Sequence, residues 1–445
     1  MIATIPTPCK IQMIELANGV EGLSLDDERY RAVGLFFQVH GVPLGHKYLH
    51  AAELPLSSEQ LWNVAQEAIL PAITDYLLQW DRQFGVSGAL RLQRLLSVDP
   101  IEKFRQGLVS RSSDAAVARS VSVVVCTRER PQALARCLAA LRESSDESTD
   151  LVVVDNAPAT DATRLVVAEF PGIRYKVEPR PGLSYARNTG IRFAKGDVIV
   201  FTDDDVVVTP NWLEELCRPF SDPAVMCSTG LVIPAELQSR EQSFFEHWMT
   251  FHRGYKSVRF GREWLLSFRS AAPVWRIGAG ASMAIRRTAF EKVGVFDTRL
   301  GAGASGCSED SEFWYRLLAA GYVCEYTPAA VVLHHHRADA ASLAQQMLAY
   351  SRGHAAALLV QFRRHRHFGN LFRLAVLLPA FYVRKLTASL LIREWRPFWL
   401  ASAIGHVAGI FYWLRSKQDE SNEVNEQAIV AEFPAELGSH SGEAL

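Results

Sequence analysis

Between residues 121 and 203 the hydrophobic positions fall into four short runs, each closed by a polar residue. VSVVVC at 121–126 ends at Thr127, LVVV at 151–154 at Asp155, IRYKV at 173–177 at Glu178, and VIVF at 198–201 at Thr202. Unbroken apolar runs of this length suit strands buried on both faces. Between the first two, Leu134, Cys137, Leu138 and Leu141 share one helical face behind Pro131, which fits a first-turn position. Strand and helix in alternation predict an α/β fold, a Rossmann-like mainly parallel sheet with right-handed crossovers and flanking helices. All four polar strand ends then gather at one edge, where nucleotides bind at a switch in strand order.

The flanks have other patterns. Residues 31–49 alternate weakly, with Val33, Leu35, Phe37 and Val39 on one face, and break at GVPLG (41–45), which predicts a hairpin. SSEQ at 57–60 has the spacing of a capping box, and Leu61, Ala65, Ala68, Ala72, Tyr76 and Trp80 follow at helical spacing with Pro71 as a kink. This 1–112 extension carries no evident chemistry and suits docking or packing. RSSDAAVAR at 111–119 reads as a linker.

Beyond residue 340 a helical region is expected to 415, followed by a disordered acidic tail at 416–445. Between Arg352 and Arg415 ten Lys or Arg face one acid, Glu394, and are interleaved with the apolar runs LFRLAVLLPAFYV (371–383) and FWLASAIGHVAGIFYWL (398–414). Basic residues among Trp, Tyr and Phe suit an anionic bilayer surface. The 17 uncharged residues of the second run are at the short end for a span, and Gly405 and Gly409 form a small-residue pair. Peripheral contact through 352–415, a buried helical subdomain and a true span all remain open.

At 445 residues, 49% apolar and 21% charged, the chain suits two or three globular domains, and its net charge of −1 disfavours a nucleic-acid partner. Seven scattered cysteines without a C-x-x-C pair read as reduced thiols. The first residues lack a basic start followed by an apolar stretch, so a cytoplasmic location is expected, peripheral at the inner face of the cytoplasmic membrane. No G-x-G-x-x-G follows the first strand, which disfavours a dinucleotide cofactor.

The fourth apolar run leads directly into Asp203, Asp204 and Asp205. Three adjacent carboxylates repel unless a cation or a proton relieves them, and hard oxygens on a short loop suit Mg²⁺ or Mn²⁺; a solvated acidic turn is the alternative. EPRPGLSYARNTG (178–190) carries Arg187 about one turn into a helix, where a guanidinium suits a diphosphate or pairs a carboxylate such as Asp203. GAGASGCSED (301–310) is a small-residue loop that brings Glu309 and Asp310 to a helix start. The helix dipole there favours an ionised carboxylate, either as a base or simply as charge on a first turn. HHHR at 334–337 closes another apolar run, so His334 and His336 face one way and His335 the other. Neutral imidazoles beside acids suit Mn²⁺, histidines that merely cap a strand are the alternative, and a zinc site lacks further ligands nearby.

In this order VSVVVCTRER, VVVDN, PRPGLSYARN, FTDDD, GAGASMAIRR, LGAG with SED, and HHHR resemble the family 2 glycosyltransferases of the GT-A fold, over about residues 119–340. The resemblance implies a GT-A domain at 118–340, a nucleotide-diphosphate sugar as donor, a divalent metal, and inverting transfer to a cell-surface glycan or lipid-linked acceptor. It implies that Thr127, Arg128 and Asp155 hold base and ribose, that Arg187 supports the nucleotide, and that Asp203 and Asp204 meet the donor. Asp203 and Asp205, with His334 or His336, would hold the metal, and Asp310 with Glu309 matches the family's base motif. Ser282 departs from a common Asn, with a bearing on selectivity, and Cys307 and Ser308 depart from a common glycine, stiffening the loop. A catalytically silent assembly partner in a glycan pathway is the alternative; a sugar-phosphate nucleotidyltransferase would want glycine in a phosphate loop after Cys126, and none occurs there.

Overall fold

The computed structural model describes residues 5–83, 101–102, 104, 120–390 and 396–416. The expected linker at 111–119, the side chain of Trp80 and the tail beyond Ser416 lie outside the described residues.

The N-terminal extension is a three-stranded sheet of β1 (Cys9–Glu15), β2 (Ala32–Val39) and β3 (Val42–His50), backed by the helix Ser58–Gln83. The hairpin turns at His40 and Gly41, both at positive φ (49° and 75°), as a two-residue turn of that hand requires. The turn is thus tighter than the expected 41–45 break, because Val42, Leu44 and Gly45 are already inside β3. The capping box is present: Ser57 Oγ accepts from Gln60 N and Gln60 Oε1 accepts from Ser57 N. β1 lies parallel to β2, an arrangement that the sequence pattern did not suggest, and Cys9 N donates to Leu237 O, three residues past the strand Val225–Pro234 of the large sheet.

The large sheet has nine strands: β4 (Val121–Thr127), β5 (Asp150–Asn156), β6 (Arg174–Glu178), β7 (Val198–Asp203), β8 (Val206–Val208), β9 (Val225–Pro234), β10 (Val258–Phe260), β11 (Ser282–Arg286) and β12 (Val323–His334). Their order is β10-β12-β9-β11-β7-β4-β5-β6, with β8 on β12. The half formed by β7, β4, β5 and β6 is parallel, as its unbroken Val and Ile runs predict. The other half is mixed: β9 and β12 run parallel, while β11 runs antiparallel to both β7 and β9, and β10 and β8 antiparallel to β12. Helices still separate the strands after Asp205, but the chain returns β11 between β7 and β9 with its direction reversed.

Helices cover both faces. Leu134 and Leu138 of helix Pro131–Ser144 and Trp212 pack on one, Phe290, Phe296, Phe313 and Trp314 on the other. The chain builds β4, β5 and β6 outward and then places β7 on the opposite side of β4. The switch point therefore falls between β4 and β7, where Thr127 and the aspartates end their strands.

The C-terminal helices pack against this domain. Gly306 and Gly353 sit where an added Cβ would meet the Ala349 carbonyl and the Cys307 backbone, and Arg352 donates from Nε to Ser305 O (2.6 Å). Helix Arg396–Ser416 lies on helix Ala340–His365 through Gly405 and Gly409, whose absent Cβ atoms leave room for the carbonyls of Leu348 and Arg352. The small-residue pair thus serves packing between helices of one chain. Replacing Gly405 with Leu should cost about 1–3 kcal/mol through overpacking. A thermal unfolding midpoint equal to that of the parent would show that the two helices do not meet there.

Candidate active site

The site is assembled at the carboxyl ends of β4 and β7. β7 ends at Asp203, with Cys126 opposite it in register, so the three acids emerge beside Thr127. Asp204 is buried and accepts from Thr127 Oγ1 (2.7 Å) and Arg130 Nη1 (2.9 Å). Arg130 Nη1 also reaches Asp205 Oδ2 at 2.8 Å. Arg130 was not singled out in the sequence, although it lies in the CTRER run, because its role depends on spanning from one strand end to the next. Asp204 and Thr127 thus hold each other where their two strands end.

Asp203 is the acid turned toward Arg187, whose guanidinium is buried between two carboxylates: Nη2 lies 3.4 Å from Asp203 Oδ1, and Nη1 lies 2.7 Å from Glu309 Oε1. The helix Leu183–Phe193 is aimed by Gly182, at φ 139°, whose N–H donates to Asn156 Oδ1. Its far side is tied to the loop before Glu309, since Ser184 Oγ donates to Leu300 O and Asn188 Nδ2 to Phe296 O. Arg187 is consequently a link between the aspartates and the Glu309–Asp310 pair, with its guanidinium sealed from solvent rather than presented to a nucleotide.

Asp310 is half-buried at the start of helix Glu309–Ala319 and accepts from Gly280 N–H (3.0 Å) and its neighbour Ser311 N–H (2.6 Å). Gly280 is where the two acid groups converge: an added Cβ would stand 2.7 Å from Arg187 Nη2 and 3.2 Å from Asp310 Oδ2. Ser308 precedes the pair with φ 71°, a left-handed conformation in which glycine is free of strain. The Ser282 departure has no bearing on a ligand surface here, because its hydroxyl is buried and accepts from the Trp212 indole (2.9 Å).

Electrostatics separate the acids. Burial pushes Glu309 up to about 7, against the pull of Arg187, and burial likewise pushes Asp203 up to about 6, again opposed by Arg187 and aided by its two neighbouring aspartates. Asp155 is fully buried, accepts from the Tyr175 hydroxyl (2.7 Å), and is raised by desolvation. Arg128 is exposed at the end of β4.

β12 runs antiparallel to β8, pairing His334 with Val206, and His335 N donates to Asp205 O. That register sets His334 Nε2 3.4 Å from Asp205 Oδ1. His336 faces the same way, as alternation predicts, but lies one layer out: its Nδ1 is 2.9 Å from His334 Nδ1 and its Nε2 is 3.2 Å from Glu246 Oε2. His336 is thus held between His334 and Glu246, and His335 turns toward Glu236 (3.5 Å). Burial lowers His334 to about 4, so it is neutral at pH 7. In the tautomer in which His336 donates Nε2–H to Glu246, its Nδ1 accepts a hydrogen bond from His334 Nδ1–H, which leaves the His334 Nε2 lone pair facing Asp205. Two facing acceptors are a donor pair for a cation. Among the described residues no three His, Cys, Asp or Glu side chains gather into a complete metal cage. The residues suit an ion whose remaining ligands are phosphate oxygens and water, the usual state of Mg²⁺.

Fold and site together define an α/β domain with an acid-lined crevice at its switch point. Residues 122–294 match the model of "Glycosyl transferase family 2", which identifies this domain as a family 2 glycosyltransferase domain. The chain is 28% identical over 254 residues to a pre-mycofactocin glycosyltransferase of Mycobacterium tuberculosis, covering 55% of this chain and 48% of that protein. It is also 28% identical over 188 residues to a glucosyl-dolichyl phosphate glucuronosyltransferase of Haloferax volcanii, covering 41% of this chain and 57% of that one. The chain thus spans about half the length of these curated relatives. A solved mannosyltransferase from Pyrobaculum calidifontis, in complex with GDP-Man and Mn²⁺, superposes with a TM-score of 0.46 at 18% identity, over 76% of this chain and 98% of that one.

The raised value of Glu309 has a measurable sign. The folded protein keeps a proton that the unfolded chain releases above its ordinary 4.5, so this contribution is present at low pH and is lost as pH rises toward about 7. Stability should fall between pH 5 and 7 less steeply in Glu309→Gln than in the parent; denaturant titrations with identical slopes against pH would remove the buried proton from the account.

Proposed function

We propose that this protein transfers a sugar, with inversion, from a nucleotide-diphosphate sugar to a glycan or lipid-linked acceptor. The observation that carries this is the span of Arg187 from Asp203 to Glu309, which brings the aspartate end of the crevice and the Asp310 carboxylate into one site. An acceptor hydroxyl attacks the anomeric carbon while Asp310 takes its proton. The bond from that carbon to the diphosphate breaks in the same displacement, and the nucleoside diphosphate leaves with the bonding pair. The Gly280 N–H holds one Asp310 oxygen in place, and Arg187 keeps the charge of Asp203 and Glu309 compensated before donor arrives. Asp205 and His334 would hold Mn²⁺ or Mg²⁺, with Asp203 the next carboxylate along the loop, and the ion would offset charge on the leaving diphosphate. Arg128, exposed beside the crevice, is the side chain available to the donor's ribose or base, with Asp155 and Thr127 shaping the floor beneath it.

The name of the Haloferax relative supports a lipid-linked acceptor, and the C-terminal helices support attachment at the inner face of the cytoplasmic membrane. Leu400, Ile404, Val407, Phe411 and Leu414 are exposed along one side of the helix Arg396–Ser416, and Phe372, Val376, Val383 and Leu390 along the preceding segment. Exposed Arg366, Arg384 and Arg415 flank these stripes. An apolar face with a basic rim suits an anionic bilayer surface. Pro397–Ser416 is also long and apolar enough to cross a membrane, yet Phe398, Trp399 and the glycine side of the helix are committed to packing inside the protein.

Asp310→Asn should retain donor binding and lose at least about a hundredfold in turnover, as expected for loss of a general base; near-normal turnover would reassign that role. Asp205→Ala should abolish metal-dependent release of nucleoside diphosphate, whereas release of pyrophosphate by the parent would indicate nucleotidyl transfer, and no release at all a silent assembly partner. A Val407→Asp, Phe411→Asp double variant should bind phosphatidylglycerol vesicles on the order of tenfold less. Unchanged co-sedimentation would rule out this face as the contact.

A further inference from the structure

A second cavity, of about 420 Å³, opens at the seam between the N-terminal sheet and the large domain. β3 supplies His46, Tyr48 and His50, and the helix Arg240–Met249 with the turn after it supplies Glu246, His247 and His252. It is separated from the aspartates by the histidine pair, because Glu246, which takes the outer nitrogen of His336, is also one of its walls.

Among the described residues, two polar groups of this lining reach no protein partner: the Tyr48 hydroxyl and His252 Nε2, both buried. His252 Nδ1 accepts from Gly254 N–H (3.0 Å), so the ring's proton sits on Nε2 as an unanswered donor. Unpaired buried donors are rare in folded proteins, and two that line one cavity point to a ligand that answers them. Ring faces form much of the wall: His46 lies 5.1 Å from His252 and 5.4 Å from Tyr48 between ring centroids. Burial holds His252 down at about 3 and lowers His46, which disfavours a positive charge on either ring, and Glu246 is the acid on the same wall. Lys47 and Lys256 are outside this lining. Among the described residues the lining holds no Lys or Arg, so an anionic ligand would meet an acid and neither an ammonium nor a guanidinium side chain there.

A neutral polyol fits better. Its hydroxyls both donate and accept, and its C–H faces lie against rings; the volume falls within the range of small-molecule pockets, ~300–1,000 Å³. We propose that this cavity is an accessory saccharide-binding site that takes a neutral sugar unit of the acceptor glycan, away from the point of transfer. The assignment to an acceptor rests on the glycosyl-transfer reading above; the recognition of a neutral saccharide rests on the cavity alone.

The test uses the full chain, with saturation-transfer NMR titrations of maltose, cellobiose and α-1,2-mannobiose, and inorganic phosphate as the anionic control. At least one disaccharide should bind, and Tyr48→Phe should weaken it roughly three- to tenfold, the value of one hydrogen bond. His50→Trp, at the exposed rim of the cavity, should block binding by bulk, and it is read instead should Tyr48→Phe unfold. Binding of UDP or GDP with Mn²⁺, followed in parallel, should be equal in parent and variants. Loss of nucleotide binding in the parent with disaccharide binding intact would sink the transfer reading alone. Nucleotide binding with no disaccharide bound, disaccharide binding indifferent to both variants, or preference for phosphate would overturn the accessory site.

Discussion

The structure of the crevice depends on one buried cation. Arg187 has no access to water to satisfy its charge, so it is tolerable only because Asp203 and Glu309 close on it from two different parts of the chain. Those acids, in turn, are both pushed toward protonation by burial and held back by the guanidinium. Neither half of the arrangement is stable without the other. The helix that carries Arg187, the strand that ends in the aspartates and the loop that leads to Glu309 are thereby fixed relative to one another, and Gly280 supplies the clearance that lets the fourth segment come in against them.

The parallel half of the sheet was legible because its strands are buried on both faces and write themselves as unbroken Val and Ile runs. The other half was less so. β8 and β10 have three residues each, and β11 is reached by an irregular path, so no period of two or 3.6 is long enough to announce them. Within the site, the acids and Arg187 could be picked out by residue type and by their position after strands or at helix starts. What could not be picked out was direction. Asp204 and Asp205 are adjacent, yet one is turned into the floor by Thr127 and the other toward His334. Arg130 and Glu246 matter only through partners 74 and 90 positions away, separations that a local pattern cannot express.

The same limit explains His336. Alternation placed it beside His334, but a shared side is not a shared distance, and the ring lies tilted against Phe245 and bonds to Glu246 one layer beyond the acids. Its part is to settle which nitrogen of His334 bears the proton. An outer-layer residue of this kind has the composition of a ligand and the duty of a brace, and only its partners distinguish the two.

The contact of the C-terminal region with the loop of small residues has a consequence for how the molecule can be handled. Arg352 grips the carbonyls of Ala304 and Ser305, and Gly353 lets its helix lie flush on Cys307, two residues before the acid pair. The greasy appendage that an experimentalist would trim to obtain well-behaved material is also the back wall of the turn that aims Asp310. Cutting the chain near residue 340 would leave that turn leaning on nothing, and an inert fragment made this way would report on the missing buttress rather than on the chemistry of the crevice.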